Sequence, residues 1–316
     1  MGGKTSGKTS HNALLNSHPL FASPALQKKL AWMRSEDIRP YVFVRPENRI
    51  PEPGKYHSSL DWFPHEVLYK NPLEMDQVKF ADRILRLETK AFGPSGMEMP
   101  RWVFYDCAIV PGFVAGFAAR TSSLSPAVRE ALGVQGDAAL AEEEWTPLSL
   151  FIIIPTMSDK GEWVAHNLCS VNSILPKEHQ YYGIGFLSKG FGLWYANVQK
   201  VCGMTQWTSP SVRLHAHYGD FEVLTAFTPV HSYSHTLTYR VEVDTHLWSQ
   251  FFEKKEARNF GHHYKPAGFE VEPKEEASLI AFQRRLEAVE GPYFIDGAET
   301  VEKPIGAPLT VYRKPN

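Results

Sequence analysis

The sequence has few of the features that mark several large classes of protein. Its 316 residues include only three cysteines, Cys107, Cys169 and Cys202. An odd and sparse cysteine count argues against a disulfide framework. No apolar run approaches the roughly 18 residues of a membrane span. The first residues, "MGGKTSGKTSHN", have no apolar segment of the kind found in secretory signals. We therefore expect a cytoplasmic protein.

Charge of one sign is not in excess either. The chain has 33 Lys and Arg residues against 35 Asp and Glu residues, for a formal net charge of -2. This balance gives no reason to expect nucleic acid or an anionic membrane as a partner. The 43% hydrophobic and 13% aromatic content indicates a globular chain with an ample core.

One nucleotide-binding motif is present without its usual context. Residues 2–9, "GGKTSGKT", satisfy the pattern G-x-x-x-x-G-K-[ST]. A phosphate-binding loop of this kind needs a preceding strand and a following helix, so that backbone N–H groups converge on the phosphate. Only Met1 precedes the motif, and the repeat is typical of a flexible polar tail. We expect no nucleotide site there.

The predicted fold is a single α+β domain dominated by a mixed or antiparallel sheet. Residues 1–75 read as an irregular, proline-rich extension, because proline lacks an N–H and disfavours long helices. Residues 76–250 form the main β-rich catalytic or ligand-binding domain. Residues 251–316 add a helix and an extended tail that pack on the core.

Two helices have clear signals. Apolar residues recur at helical spacing within residues 74–93 and end at Gly93. The segment "SPAVREALG" has Ser125 as N-cap, Pro126 at the first position and Gly133 after the end. A third helix is predicted within residues 273–291.

Two other runs are predicted to be strands because they are rich in β-branched and aromatic residues. "RWVFYDCAIV" begins at residue 101. "SVRLHAHY" begins at residue 211 and is predicted to form a hairpin with "FEVLTAFT" about Gly219 and Asp220.

The stretch "HQYYGIGFLSKGFG", residues 179–192, holds four glycines, four aromatic residues and one lysine. We interpret it as a strand and turn beside a pocket, because Gly190 and Gly192 would each cost about 1 kcal/mol inside a helix. The alternative is a loop that cradles a pyrophosphate at the start of a helix.

Three segments in order resemble the acetoacetate decarboxylase-like superfamily. They are residues 119–133, "GFLSKGFGLW" at 185–194, and "HAHYGDFEVLTAF" at 215–227. The resemblance spans roughly residues 110 to 245. It implies a lyase (decarboxylase, aldolase or dehydratase) that acts on a small oxo-acid or related carbonyl compound through a lysine Schiff base, without a cofactor. The family's lysine pair falls on Leu193 and Trp194, and the nearest lysine is Lys189.

This interpretation assigns catalytic roles to five polar residues. Burial would lower the pKa of the Lys189 amine and make it a nucleophile, and an arginine suits a substrate carboxylate. Polar groups in an apolar strand need partners or line a pocket. The expected partner is a small carbonyl or carboxylate substrate, and a homo-oligomer is compatible with the sequence. The candidate residues are Lys189, His166, Asn167, Arg213 and His215.

Three alternatives remain open. "QYYGIG" resembles the pyrophosphate loop of the GNAT acyltransferases, with residues 83–92 as that family's first helix and residues 209–222 as its late helix and following strand. That resemblance implies a GNAT-like α/β fold and acyl-CoA bound at Gly183 and Gly185. The spacing of His215, His217 and Glu222 resembles the first cupin motif, but no second motif follows, and we expect no metal. A non-catalytic ligand-binding protein would line its pocket with Leu193 and Trp194.

Overall fold

The computed structural model describes residues 23–55, 66–134, 144–156, 161–244 and 263–315. The chain divides into two compact units that alternate along the sequence. The first unit comprises residues 1–54, 58–151 and 168–192, and the second comprises residues 55–57, 152–167 and 193–316. Within the described residues, no helix is long and apolar enough to cross a membrane. The motif at residues 2–9 lies outside the described residues.

The first unit is built on a sheet with the strand order β5 (Ser149–Pro155), β3 (Phe113–Arg120), β1 (Ile38–Phe43) and β2 (Leu68–Lys70), and β4 (Trp145–Pro147) also pairs with β3. β1 is antiparallel to β3 and parallel to β2. Its elements are α1 (Pro24–Lys29), β1 (Ile38–Phe43), β2 (Leu68–Lys70), α2 (Val78–Phe92), β3 (Phe113–Arg120), α3 (Pro126–Leu132) and β4 (Trp145–Pro147).

Three elements pass from one unit into the other along the chain. They are β5 (Ser149–Pro155), β6 (Glu162–Ser170) and α4 (Ile184–Tyr195).

The second unit has strand order β6-β7-β9-β8-β11-β12-β10. β6 and β7 are parallel, and the other pairs are antiparallel. The remaining elements are β7 (Lys200–Gln206), α5 (Ser211–His215), β8 (Gly219–Thr225), β9 (Thr236–Val243), β10 (Lys265–Val271), α6 (Glu276–Glu287), β11 (Tyr293–Ile295), α7 (Gly297–Glu302) and β12 (Leu309–Arg313).

The helices with local end signals are confirmed. In α3 the hydroxyl of Ser125 accepts the N–H of Val128 at 3.4 Å. Pro126 is the first residue of α3, and Gly133 ends it with φ +67°. α2 and α6 also lie within the predicted segments. The division into residues 1–75, 76–250 and 251–316 stays a prediction.

Two predicted strands are helical, and those predictions were wrong. Residues Val103–Ile109 form a π-helix that buries Phe104, Ala108 and Ile109. Residues Ser211–His215 form α5, so the hairpin is made instead by β8 and β9. Aromatic and β-branched content does not separate a short strand from a short buried helix when both present apolar residues.

The most consequential error concerns residues 179–192, because most of this stretch belongs to α4 rather than to a strand and turn. A Cβ atom on Gly192 would lie 2.5 Å from Cδ1 of Phe151 and 3.3 Å from Cβ of Ala115. Glycine is therefore required where the helix approaches the sheet of the first unit. α4 connects two parallel strands, β6 and β7. The predicted single domain with a decarboxylase-like sheet is also wrong, because it depended on a strand and turn where the structure has α4.

Buried hydroxyl groups hold α4 at this short distance from the sheet. Oγ of Ser188 lies 2.6 Å from Oγ of Ser149 and 2.6 Å from the carbonyl oxygen of Ile184. Oγ of Ser149 accepts the N–H of Phe117 at 2.9 Å, and its carbonyl oxygen accepts the hydroxyl of Tyr41 at 2.9 Å. A satisfied buried network of this kind fixes one arrangement of helix and strands.

The close approach at Gly192 gives a stability prediction. Alanine is the better helix former by about 1 kcal/mol, yet Gly192→Ala should destabilise the protein by about 1–3 kcal/mol because the added methyl group overlaps Phe151. Gly93→Ala is the control, since Gly93 has φ -54° and its nearest atom would lie 4.0 Å away. Because Gly93 precedes Pro94, the added Cβ is mildly disfavoured in the helical conformation, and this variant should lose less stability than Gly192→Ala. Urea unfolding measures both, and a Gly192→Ala variant as stable as the parent would contradict this packing.

Candidate functional site

The loop between β6 and α4 is folded around the side chain of Asn172. Its Oδ1 accepts the N–H of Tyr181 at 2.8 Å, and its Nδ2 donates to the carbonyl oxygen of Tyr181 at 2.7 Å. Nε2 of Gln180 donates to the carbonyl oxygens of Asn172 and Leu175, both at 3.0 Å. The glutamine of the Q-x-x-G-x-G pattern therefore has a structural role in shaping the loop.

The N-terminal part of the first unit packs against the same loop. The indole Nε1 of Trp32 donates to the carbonyl oxygen of Tyr182 at 3.0 Å, and its ring meets Tyr181 edge to face at 6.1 Å. The ammonium group of Lys29 lies 4.9 Å from the ring centroid of Tyr182. The carbonyl groups of Tyr181 and Tyr182 thus point at protein donors.

The glycines place backbone amides at the start of α4. Gly183 has φ +72°, a conformation that side chains disfavour, and its carbonyl oxygen accepts the N–H of Leu187 at 2.9 Å. A Cβ on Gly185 would meet only Oγ of Ser170, at 3.9 Å, among the described atoms. No described residue accepts a hydrogen bond from the N–H of Gly183 or Gly185.

The electrostatics of this helix start favour an anion. The aligned peptide dipoles of a helix place partial positive charge at its N-terminus. The first turn of α4 has no acidic side chain to neutralise that charge. Amide donors, a helix N-terminus and open space beside Gly185 together make a candidate phosphate site.

Asn172 and Trp32 were missed by the sequence reasoning. Neither residue belongs to a recognisable motif, and Trp32 lies 150 residues from Tyr182 in the sequence. The Q-x-x-G-x-G pattern was the signal that could have located this loop.

Lys189 is fully buried within α4. Burial lowers the pKa of its amine well below the ordinary value, because desolvation disfavours the charged form. Lys189 lies on a helix of the first unit. The other four candidate residues lie in the second unit.

Those four residues form two separate pairs. His166 and Asn167 are neighbours on β6, with His166 Nδ1 3.0 Å from Asn167 Oδ1. Arg213 and His215 belong to α5, where Arg213 Nη2 donates to the carbonyl oxygen of Lys303 at 2.5 Å. The buried His215 ring stacks on Tyr239 at 4.8 Å. The roles assigned to all five residues stay predictions.

The cupin-like spacing does not produce a metal site among the described residues. His215 ends α5, so His215 and His217 do not share one face of a strand. Nδ1–H of His217 donates to the carbonyl oxygen of Arg213, and Glu222 pairs with Arg240 at 2.8 Å.

The parallel strands of the second unit separate at their carboxyl ends. Pairing between β6 and β7 runs from Glu162 opposite Lys200 to Ala165 opposite Gly203. β7 then continues in register with β9 alone, to Gln206. In open α/β sheets, ligands bind outside the carboxyl ends of the strands. His166 is the first residue of β6 beyond the last pair.

Comparisons with known proteins give limited matches. No protein-family model matches the sequence, and no curated protein matches it. Among solved structures, a chain of the NatC complex bound to Gag peptide and CoA is 9% identical with a TM-score of 0.36, over 55% of this chain and 96% of that chain. A proposed GNAT-family acetyltransferase from Desulfovibrio desulfuricans is 12% identical with a TM-score of 0.32, over 52% of this chain and 94% of that one. Nourseothricin acetyltransferase is 8% identical with a TM-score of 0.28, over 42% of this chain and 66% of that one.

The decarboxylase-like interpretation is wrong, because the segment that it treated as a turn belongs to the helix α4. All three structural neighbours carry names of acetyltransferases or their complexes, and none of the three is a lyase. The lyase and Schiff-base expectations are wrong, because they depended on a strand and turn where the structure has α4. The expectation that no cofactor is needed is not confirmed. TM-scores of this size carry no weight for function.

The buried Lys189 gives a pH-dependent stability prediction. The unfolded chain protonates this amine up to a pH of about 10.4, whereas burial favours the neutral form in the folded protein. The unfolded state binds one proton more than the folded state, so the destabilisation of the folded protein by Lys189 is smallest at high pH. Relative to the parent, the free energy of unfolding of Lys189→Met should therefore fall as the pH rises from 7 toward 10, by at most about 1.4 kcal/mol per pH unit.

Urea unfolding at pH 7 and pH 9.5 measures this change. Lys177→Met removes an exposed lysine and serves as the control for loss of a positive charge. A stability difference for Lys189→Met that is the same at both pH values would show that the amine is charged in the folded protein.

Proposed function

We propose that this protein is an acyl-CoA-dependent acyltransferase of the GNAT type. The observation that carries the proposal is the Q-x-x-G-x-G loop, which leads directly into the N-terminus of the 12-residue helix α4 between two parallel strands. Two further elements support it, because α2 covers residues 83–92 and α5 followed by β8 occupies residues 209–222. These are the first helix and the late helix with its following strand that the acyltransferase resemblance implies.

The pyrophosphate of acyl-CoA suits the chemistry of this loop. It carries negative charge and hydrogen-bond acceptors, whereas the loop offers amide donors at Gly183 and Gly185 and the positive end of a helix dipole. Gly183 supplies the left-handed turn. At Gly185 the absence of a side chain allows a phosphate oxygen to approach the backbone closely.

Acyl transfer from such a donor needs no resident metal or redox group. The nucleophilic nitrogen or oxygen of an acceptor forms a bond to the carbonyl carbon of the thioester. The carbon–sulfur bond breaks, and the proton lost by the acceptor ends on the CoA thiol. The protein's task is to hold the donor and acceptor in reacting geometry and to manage that proton.

Gly185→Asp separates loss of binding from loss of folding. A Cβ fits at this position, and an acidic side chain in the first turn of a helix is stabilising by about 0.3–1 kcal/mol. The same carboxylate should repel the pyrophosphate. We therefore expect CoA affinity to fall at least about tenfold while the melting temperature is maintained or raised.

Isothermal titration calorimetry with CoA on the full chain measures this effect. Gly93→Asp adds the same charge to the first unit at the end of α2 and should leave CoA binding unchanged. Absence of CoA binding by the parent chain at millimolar concentration would overturn the proposed function. Equal binding by Gly185→Asp and the parent would place the pyrophosphate elsewhere.

A further inference from the structure

A cleft in the second unit is bounded by α5, α7 and the start of β12. Its lining comes from residues 207–213, from Pro273 and from residues 300–309. All of these residues belong to the second unit. None of them belongs to the glycine loop or to α4, so the cleft uses no residue of the candidate phosphate site.

Arg213 is the charged residue among those that line the cleft. α5 carries it, and its Nη2 donates to the carbonyl oxygen of Lys303 at 2.5 Å, which holds the guanidinium group against the end of α7. The side chain makes no other hydrogen bond and no ion pair with a described residue. Because a guanidinium group has five N–H donors, Arg213 keeps donors for a ligand.

The charge of the cleft is positive. No acidic side chain is among its lining residues. A second cation lies beside Gly306, which is part of the lining, because a Cβ on Gly306 would lie 2.7 Å from Cε of Lys274. Lys274 makes no ion pair with a described residue, and the neighbouring acids Glu272 and Glu275 are exposed and do not line the cleft. Such a cleft attracts an anion.

Ser209 adds a hydroxyl group to the lining. Its Oγ accepts the N–H of Ser211 at 3.2 Å and lies 2.6 Å from Oγ of Ser211. When the Ser211 hydroxyl donates to Ser209, the hydrogen of the Ser209 hydroxyl is left for a ligand oxygen. A guanidinium group and a hydroxyl group suit a carboxylate, because its two oxygens accept hydrogen bonds and match the donors of arginine.

The rest of the lining is predominantly apolar. Trp207 is buried, and its Nε1 donates to the carbonyl oxygen of Ala226 at 2.7 Å, so its polar atom already has a partner. Val212, Ile305 and Leu309 add aliphatic side chains. The cavity has a volume of about 20 Å³, which is room for little more than one water-sized group. The group that enters must therefore be small, and the part of the ligand that follows it meets apolar side chains.

We propose that this cleft binds a small monocarboxylate with a short hydrocarbon chain. Arg213 and Ser209 hold the carboxylate, and the apolar lining contacts the chain. Inorganic phosphate has no apolar part to cover that lining. The inference goes beyond the proposed function and does not depend on it. Because the ligand contacts α5 and residues 300–309 together, its binding should stabilise the folded protein.

The test uses the full chain with sodium butyrate as the probe. Saturation-transfer NMR detects binding, and a titration gives the dissociation constant. We expect butyrate to bind and to raise the melting temperature by about 2–4 °C at ten times its dissociation constant. Acetate should bind more weakly, by about fourfold for each missing methylene group. Absence of saturation transfer to the parent chain at tens of millimolar butyrate would overturn the proposal.

Competition at constant ionic strength tests the class of ligand. n-Butanol has the hydrocarbon chain without the charge, and inorganic phosphate has charge without the chain. Neither should displace butyrate at an equal concentration. Displacement by phosphate would overturn the choice of a carboxylate, and displacement by butanol would overturn the role of Arg213.

Two variants locate the bound butyrate. Arg213→Gln removes the cation and should weaken butyrate binding at least about tenfold. It also removes the bond to Lys303, so Ala307→Leu provides a second variant that fills the cleft from a half-buried position and keeps Arg213. Arg284→Gln removes an exposed arginine of α6 and should leave butyrate binding unchanged.

Melting temperatures without ligand show whether each variant is folded. If Arg213→Gln does not fold, Ala307→Leu alone decides, and it should also weaken butyrate binding at least about tenfold. Binding at the parent's affinity by either folded variant would place butyrate elsewhere and overturn the proposal.

Discussion

The short distance between α4 and the sheet of the first unit is the constraint on which the candidate site depends. Gly192 allows the helix backbone to approach Phe151 and Ala115 more closely than any side chain would permit. The hydroxyl groups of Ser149 and Ser188 then bind helix and strand in one arrangement. Because the helix is fixed near its end by packing, its first turn is also fixed. The amides of Gly183 and Gly185 are therefore presented by a rigid element, which reduces the ordering cost of binding an anion.

Hydrogen bonds to its carbonyl oxygens fix the conformation of the loop that precedes α4. Asn172 and Trp32 donate to the carbonyl oxygens of Tyr181 and Tyr182, so these acceptors are turned into the protein. An anion approaching the start of α4 would otherwise meet carbonyl oxygens as well as N–H groups. Because these carbonyl oxygens already accept protein donors, they compete less with the amides of Gly183 and Gly185 for the surroundings of an anion. One donor, Asn172, belongs to the loop itself, and the other, Trp32, lies 150 residues from Tyr182 in the sequence.

The sequence predicted elements whose ends are set by neighbouring residues, and it failed for elements that depend on residues distant in the sequence. α3 could be predicted because Ser125, Pro126 and Gly133 carry its start and end within nine residues. α4 could not, because the cost of Gly190 and Gly192 in a helix is local, whereas the packing that offsets it comes from Phe151, some 40 residues away in the sequence. The glycine pattern at residues 180–185 was visible, but its meaning depended on whether a helix followed. The resemblance to decarboxylases failed at the same place, since it treated core-facing positions of α4 as a turn.

Lys189 and His166, two of the ionisable residues singled out by the sequence, differ in their exposure to solvent. Lys189 has the desolvated environment that frees an amine as a nucleophile, but it is enclosed within the first unit and has no exposed surface. His166 is exposed on β6 beyond the last residue that pairs with β7, and its Nδ1 lies 3.0 Å from Oδ1 of Asn167. A group that transfers protons to and from a substrate must be reached by that substrate. Lys189, which the decarboxylase resemblance singled out as the nearest lysine, is therefore a residue of the core that a substrate in solvent does not reach.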